Sequence, residues 1–166
     1  RHPAVSDGLL DKLRAAASEC RRHADILRED LSEQGGKRYA ADQLDLMTRE
    51  HLRLLDQMAY RFGKLQTTLG ERLLPLVLDV LEEPIAESVP FAQKLQRLER
   101  LGTIPSADQW RSLRQVRNSI AHEYPDAPEL HAASLNRFIE GAGELLEFWD
   151  QIASYLSRHK LVEANS

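Results

Sequence analysis

A short stretch before Pro125 carries the side chains of this chain that are best suited to chemistry. It contains Arg117, Asn118, His122 and Tyr124. A guanidinium can hold a phosphate through two parallel hydrogen bonds, and a histidine with a pKa near neutrality can donate or accept a proton. Because His122 precedes a helix-ending proline, the free carbonyls there favour its protonated form. These residue types at this spacing are suited to phosphodiester cleavage, with His122 as acid or base.

Helical geometry divides this stretch between two faces of one helix. At about 100° per residue, the apolar side chains form one stripe: Trp110, Leu113, Val116 and Ile120. Arg114, Asn118 and His122 are spaced by four and line an adjacent polar face. Arg117 falls beside the apolar stripe, where an arginine needs a partner. One interpretation pairs it with a buried carboxylate, and the other places it in a cleft that holds an anion. His122 is likewise either a helix-capping residue or a catalyst.

Five helical segments, joined by short connections, are predicted to position these residues. Their ranges are about 6–33, 41 to the eighties, 91–100, 106–124 and 129–159. Pro75 should kink or split the second segment. Ser106 with Gln109 three residues later is a capping box that opens the fourth. No stretch alternates apolar and polar residues long enough to form a strand. The sequence therefore predicts an all-α single domain, an antiparallel bundle with its core at about residues 6–160.

Composition and charge narrow the functional classes. A chain that is 42% hydrophobic and 29% charged is expected to fold rather than to be disordered. The single cysteine, Cys20, excludes an internal disulfide and fits a reducing cytoplasm. No apolar run is long enough to span a bilayer, so no membrane partner is expected. Neither a metal site nor a cofactor is expected, since paired cysteines, clustered histidines and a phosphate-binding glycine loop are all missing.

A net charge of −4 argues against an evenly basic nucleic-acid-binding surface. A local basic patch is still possible. Arg97 and Arg100 on the third helix, with Arg111 and Arg114 at the start of the fourth, could form such a patch and bind RNA. The alternative is a solvated basic face that is neutralised by Glu99 and nearby acids.

The spacing of Arg117, Asn118 and His122 resembles the Arg-x4-6-His signature of the HEPN superfamily. Its extension to Tyr124 is similar to the Arg-x4-His-x-Tyr form of HepT-type toxins. The resemblance implies a HEPN-like helical bundle with the motif closing the fourth helix. It also implies a homodimer in which two copies of the motif meet across a two-fold axis.

The activity implied by the resemblance is metal-independent RNA cleavage that leaves a cyclic phosphate. His122 would be the acid or base, Arg117 would stabilise the phosphate charge, and Asn118 would orient the pair. Tyr124 would accept AMP from a cognate minimal nucleotidyltransferase that acts as antitoxin. Two alternatives remain at this point: a non-catalytic, substrate-binding partner of a nucleotidyltransferase, and a helical dimerisation module in which the motif is structural.

Overall fold

A computed structural model describes residues 7–81, 88–120 and 124–162, and every regular element in these ranges is helical. The prediction of an all-α chain is confirmed. The α-helices are α1 (Asp7–Gln34), α2 (Arg49–Thr68), α3 (Leu74–Val80), α4 (Phe91–Leu101), α5 (Ala107–Ile120) and α6 (Pro128–Arg158). A 3₁₀ helix (Ala41–Leu46) precedes α2, and a π-helical turn (Leu69–Leu73) joins α2 to α3. Six α-helices are described rather than about five, because the second predicted segment is divided.

Local chemistry explains where that second segment is divided. Thr48 has an extended backbone, and its side chain accepts a hydrogen bond from the backbone N–H of His51, so α2 begins after it. Pro75 has no N–H, and its ring would press on the carbonyl of Glu71 in a regular α-helix. The π-helical turn ends directly before α3, which carries Pro75 in its first turn. A π-helical turn is a common way for a helix to absorb such an irregularity.

The turn between α4 and α5 has defined caps on both sides. Gly102 has a left-handed φ of 81°, and the N–H of Thr103 donates to the carbonyl of Leu98 at 3.0 Å. Ser106 Oγ accepts from the N–H of Gln109 at 3.2 Å, as expected for the capping residue of α5. Glu99 Oε1 accepts from the N–H of Ala107 at 2.9 Å. Glu99, which the alternative interpretation of the basic residues assigned to neutralising them, therefore caps α5.

The core lies where α1, α2, α5 and α6 meet. α1 contacts α2 and α6, and α5 packs against α6 and α2. Phe62 of α2 and Phe138 of α6 are buried and meet edge to face, with ring centroids 5.5 Å apart. Burial of each such side chain stabilises the fold by about 1.5–3 kcal/mol. Within the described ranges, no helix combines the length and the apolar character that crossing a membrane requires.

Candidate functional site

Glycines on neighbouring elements determine how closely α5 can approach them. A Cβ placed on Gly141 of α6 would lie 3.0 Å from Val116 Cγ1, and one on Gly70 would lie 2.9 Å from Trp110 Cζ2. Real Cβ atoms are almost never found this close to other atoms. Any residue larger than glycine at these two positions would therefore collide with side chains of α5. Gly63 of α2 lies beside the guanidinium of Arg117, with 3.8 Å from its idealised Cβ to Arg117 Nε. Close packing thus holds the buried face of α5 against α6 and the π-helical turn.

A cavity of about 190 Å³ opens at this junction. The π-helical turn and the end of α2 form one wall, and α5 forms the other. Phe91, the first residue of α4, closes one side. The lining residues are Gln66, Thr67, Gly70, Glu71, Phe91, Trp110, Arg114 and Arg117.

Two residues that line the cavity carry three buried polar atoms that lack hydrogen-bond partners within the described part of the chain. They are both amide atoms of Gln66 and the indole Nε1 of Trp110, and each of these two residues is only 2% exposed. A buried polar group without a partner costs about 1–3 kcal/mol, and native proteins retain few of them. Because these atoms have almost no accessible surface, they are enclosed by protein rather than exposed to the cavity. The half-buried ring of Phe91 contacts the buried ring of Trp110, with centroids 6.3 Å apart.

Two arginines give the mouth of the cavity a positive charge. Arg114 and Arg117 are exposed, and neither forms an ion pair or hydrogen bond with another residue that the structure describes. Glu71 is the acidic side chain in the lining. The buried carboxylate that one interpretation expected for Arg117 is therefore not found in the described ranges. The position of Arg117 fits the other interpretation, in which it lines a cleft and is available to an anion.

The remaining motif residues lie at or beyond the end of α5. Asn118 is exposed, whereas His122 lies outside the described residues. Tyr124 is half-buried at the start of the turn to α6, where its carbonyl accepts from the N–H of Ala127. Its ring stacks on His131, with centroids 6.3 Å apart and planes 29° apart. The structure thus brings Arg114 and Arg117 to one cavity and places Tyr124 in the following turn.

The four arginines predicted to form an RNA-binding patch have different surroundings. Arg114 lines the cavity, but Arg111 is paired with Asp108 one turn earlier on α5, at 2.6 Å. Arg97 is half-buried on α4, and Arg100 is exposed near the end of that helix. Of this set, Arg114 is the residue that the geometry joins to Arg117.

A second polar cluster, between α1 and α2, is structural. Arg61 Nη1 donates to His23 Nδ1 at 2.9 Å, and burial together with the charge of Arg61 lowers the pKa of His23. Glu19 pairs with Arg72 and lies 3.8 Å from His23 Nε2. Burial raises the pKa of the neighbouring Cys20 thiol to about 12, so it stays protonated and unreactive at neutral pH. This cluster joins the two helices and leaves no reactive thiol.

Sequence reasoning did not identify Gln66 or Trp110 as residues that line a cavity. Gln66 falls four residues after Phe62 and three before Leu69, which places it on the apolar stripe of α2. A glutamine at a core position is the signal that could have found it. Trp110 was assigned to the core stripe, and it is indeed buried, but it also lines the cavity.

In comparisons with family models, with curated proteins and with solved structures, nothing matches this chain. Across residues 7–81, 88–120 and 124–162, no group of three or more His, Cys, Asp or Glu side chains is placed to hold a metal ion. The resemblance to the HEPN superfamily therefore depends on the spacing of Arg117, His122 and Tyr124, together with the all-helical fold.

Proposed function

We propose that this chain is a HEPN-type, metal-independent endoribonuclease. One observation carries the proposal: Arg114 and Arg117 are exposed, without ion-pair partners in the described ranges, at the mouth of a cavity beside the helix end that leads to His122. Guanidinium groups in such a position bind a phosphate through charge-assisted hydrogen bonds. The chain places its general acid–base candidate five residues after Arg117.

The chemistry uses the 2′-hydroxyl of the RNA as nucleophile. Its oxygen attacks the adjacent phosphorus while the bond from phosphorus to the 5′ oxygen breaks. This leaves a 2′,3′-cyclic phosphate and a 5′-hydroxyl. His122 takes the proton from the 2′-hydroxyl or gives one to the leaving oxygen. Arg117 stabilises the charge that develops on the phosphate, and Asn118 orients the reacting groups.

The proposal includes a homodimer and a regulatory partner. A two-fold interface formed by the motif surfaces would bring Arg117 and His122 from both protomers to one phosphate. The chain would be the toxin of a pair whose antitoxin is a minimal nucleotidyltransferase. AMP added to Tyr124, in the turn after α5, would place a bulky negative group beside the cleft and block RNA.

The test is cleavage of total cellular RNA by the purified protein in EDTA. We expect the unmodified protein to cleave. We also expect Arg117→Ala and His122→Ala each to slow cleavage by roughly 10²–10⁴-fold, the usual contribution of such groups. Arg158→Ala and His159→Ala are matched controls, because these exposed residues at the end of α6 do not line the cavity, and they should leave cleavage unchanged.

Absence of cleavage would contradict the proposal only if the protein is folded and free of AMP. Both conditions can be checked by circular dichroism and by intact mass. A folded, unmodified dimer that leaves RNA intact would favour the alternative, a non-catalytic, substrate-binding partner of a nucleotidyltransferase.

A further inference from the structure

We infer that the face of α2 that carries Tyr60, Lys64 and Thr67 is a track for single-stranded RNA, on which the Tyr60 ring stacks with a base and Lys64 binds a phosphate. The role of this track in presenting RNA to the cleavage site rests on the proposed function. Its ability to bind a single strand does not, and it can be measured with RNA that cannot be cleaved.

Tyr60 is an aromatic residue on the outside of the protein. Its exposed fraction is 55%, whereas Phe62, two residues later on the same helix, is fully buried. The Tyr60 ring therefore adds little to the core, and its accessible surface is available to a ligand. Every base has a π-face, so stacking on such a ring does not depend on the sequence of the strand.

Two positively charged side chains flank the Tyr60 ring. Arg61 Cζ lies 5.4 Å and Lys64 Nζ lies 5.6 Å from the ring centroid. Arg61 donates to His23 rather than to a carboxylate, and Lys64 is exposed without an ion pair in the described ranges. Neither charge is neutralised by a described carboxylate, so both can attract the phosphates next to a stacked base.

Helical geometry places this ring next to the arginine of the proposed cleavage site. Gly63 follows Tyr60 by three residues and precedes Lys64, so the three share one face of α2. Gly63 is also the residue whose idealised Cβ lies 3.8 Å from Arg117 Nε. Thr67, one turn further on, lines the cavity together with Arg117. Tyr60 is thus about one turn, roughly 5 Å along the helix axis, from the point where α2 meets Arg117.

Two exposed carboxylates limit the length of the track. Asp56 lies one turn before Tyr60 on α2, and Glu71 lies in the π-helical turn that borders the cavity. Each carboxylate repels a phosphate. The favourable stretch therefore runs from Tyr60 to Arg117.

The chemistry of this stretch favours a single strand over other partners. Unpaired cations match a polyanion, and an accessible ring offers a surface on which an unpaired base can stack. The bases of a duplex are already stacked on one another, so a duplex would leave the ring unused.

The experiment measures binding to the full chain by fluorescence anisotropy. One labelled single strand carries a 2′-O-methyl group at every position, so it lacks the attacking hydroxyl and stays intact. A second oligomer has the same phosphate backbone but no bases. We expect Tyr60→Ala to weaken binding of the base-carrying strand by about fivefold or more, as for the loss of one stacked base, and to leave binding of the abasic oligomer unchanged. Tyr60→Phe keeps the ring and should bind both like the parent.

Leu52→Ala is the matched control for Tyr60→Ala. Leu52 is a large apolar residue of the same helix with an exposed fraction of 45%, about two turns before Tyr60. Its substitution should alter neither affinity. The inference is overturned if Tyr60→Ala binds the base-carrying strand as tightly as the parent, or if it weakens both oligomers equally. A change of oligomeric mass in Tyr60→Ala, measured by light scattering, would show that the ring covers a protein interface and would also overturn it.

Lys64→Ala tests the phosphate contact. It should weaken binding of both oligomers, and the logarithm of the binding constant should fall less steeply with the logarithm of salt concentration, by about 0.7 in slope. Lys160→Ala removes the same charge beyond the end of α6, roughly 25 Å along that helix from Gly141, which packs on α5. It should leave the slope unchanged. An unchanged slope in Lys64→Ala would contradict the phosphate contact.

Failure of this inference can be distinguished from failure of the proposed function. The methylated strand cannot be cleaved through its 2′-hydroxyl, so its binding is independent of catalysis. Binding that depends on the Tyr60 ring, without cleavage of unmodified RNA, would retain the track and contradict the ribonuclease. Cleavage of unmodified RNA, with binding that does not depend on the ring, would retain the ribonuclease and contradict the track.

Discussion

Arg137 and Arg117 lie on neighbouring helices but have different surroundings, which indicate a structural role for the first and a binding role for the second. Arg137 of α6 is half-buried and donates to both carboxylate oxygens of Glu144, at 3.1 and 3.2 Å, and to Ser112 Oγ at 3.1 Å. Its charge is neutralised within α6 by Glu144, and its hydrogen bond to Ser112 joins α6 to α5. Arg117 of α5 is exposed and has no such partner in the described ranges. Its charge is therefore available to an anion at the cavity mouth.

Substitution of Tyr124 tests whether it is an acceptor or a catalyst. Tyr124→Phe keeps the ring that stacks on His131 and removes only the hydroxyl. We expect RNA cleavage to stay largely intact and AMP addition by the nucleotidyltransferase to be abolished, as measured by intact mass. Loss of cleavage with this change would contradict the assignment and give the hydroxyl a catalytic role.

The unpaired amide of Gln66 should lower the stability of the protein. Gln66→Leu removes two buried polar atoms that have no partner in the described structure and keeps an apolar side chain in their place. We expect the free energy of unfolding to rise by about 1 kcal/mol, measured by urea denaturation. Gln115→Leu, at an exposed position, should change it little. A clear loss of stability in Gln66→Leu would mean that the amide has a structural partner.

Periodicity in the sequence predicted which face of α5 is buried. Trp110, Leu113 and Val116 are buried and Ile120 is half-buried, as the apolar stripe indicated. The division of the second segment was predicted only in part, because Pro75 signals a break but not a π-helical turn. The cavity was not predicted, since it depends on how closely α5 approaches Gly70, a contact between residues distant in sequence.

Gly63 and Gly70, both in the second predicted helical segment, provide a matched test of how closely α5 packs against that segment. Alanine is favoured over glycine within a helix by about 1 kcal/mol. Gly63→Ala would have 3.8 Å to its nearest contact and should be stabilising. Gly70→Ala would place its Cβ 2.9 Å from the Trp110 ring, so it should be destabilising and should shift the Trp110 indole resonance. Thermal unfolding of both variants measures the difference. Equal stabilisation would contradict the close packing of α5.

At the scale of the whole molecule, the net charge of −4 and the proposed RNA substrate are compatible because the positive charge is local. Arg114 and Arg117 provide it at one cavity mouth, while other arginines are paired with carboxylates, as Arg28 is with Asp150 at 2.7 Å. The sequence predicted the all-α fold, which is confirmed, and it also predicted that Arg117 holds a phosphate, which stays a prediction. It could not predict the absence of a partner for Arg117 in the described structure, which depends on the surrounding helices.

The proposed composite site requires two protomers. We expect static light scattering at micromolar concentration to give about twice the chain mass of 18.9 kDa. Arg117→Ala should remain dimeric if the residue acts on RNA rather than holding the interface. A monomeric parent protein would contradict a site built from two copies of Arg117 and His122.

The proposed ribonuclease would cleave RNA by using the 2′-hydroxyl of its substrate as the nucleophile. The most direct measurement compares, in EDTA, an RNA oligonucleotide with the same sequence carrying a 2′-O-methyl group at every position. We expect cleavage of the unmodified strand alone, with products that end in a 2′,3′-cyclic phosphate and begin with a 5′-hydroxyl. Equal cleavage of the methylated strand, or products that end in a 3′-hydroxyl, would contradict the proposed function.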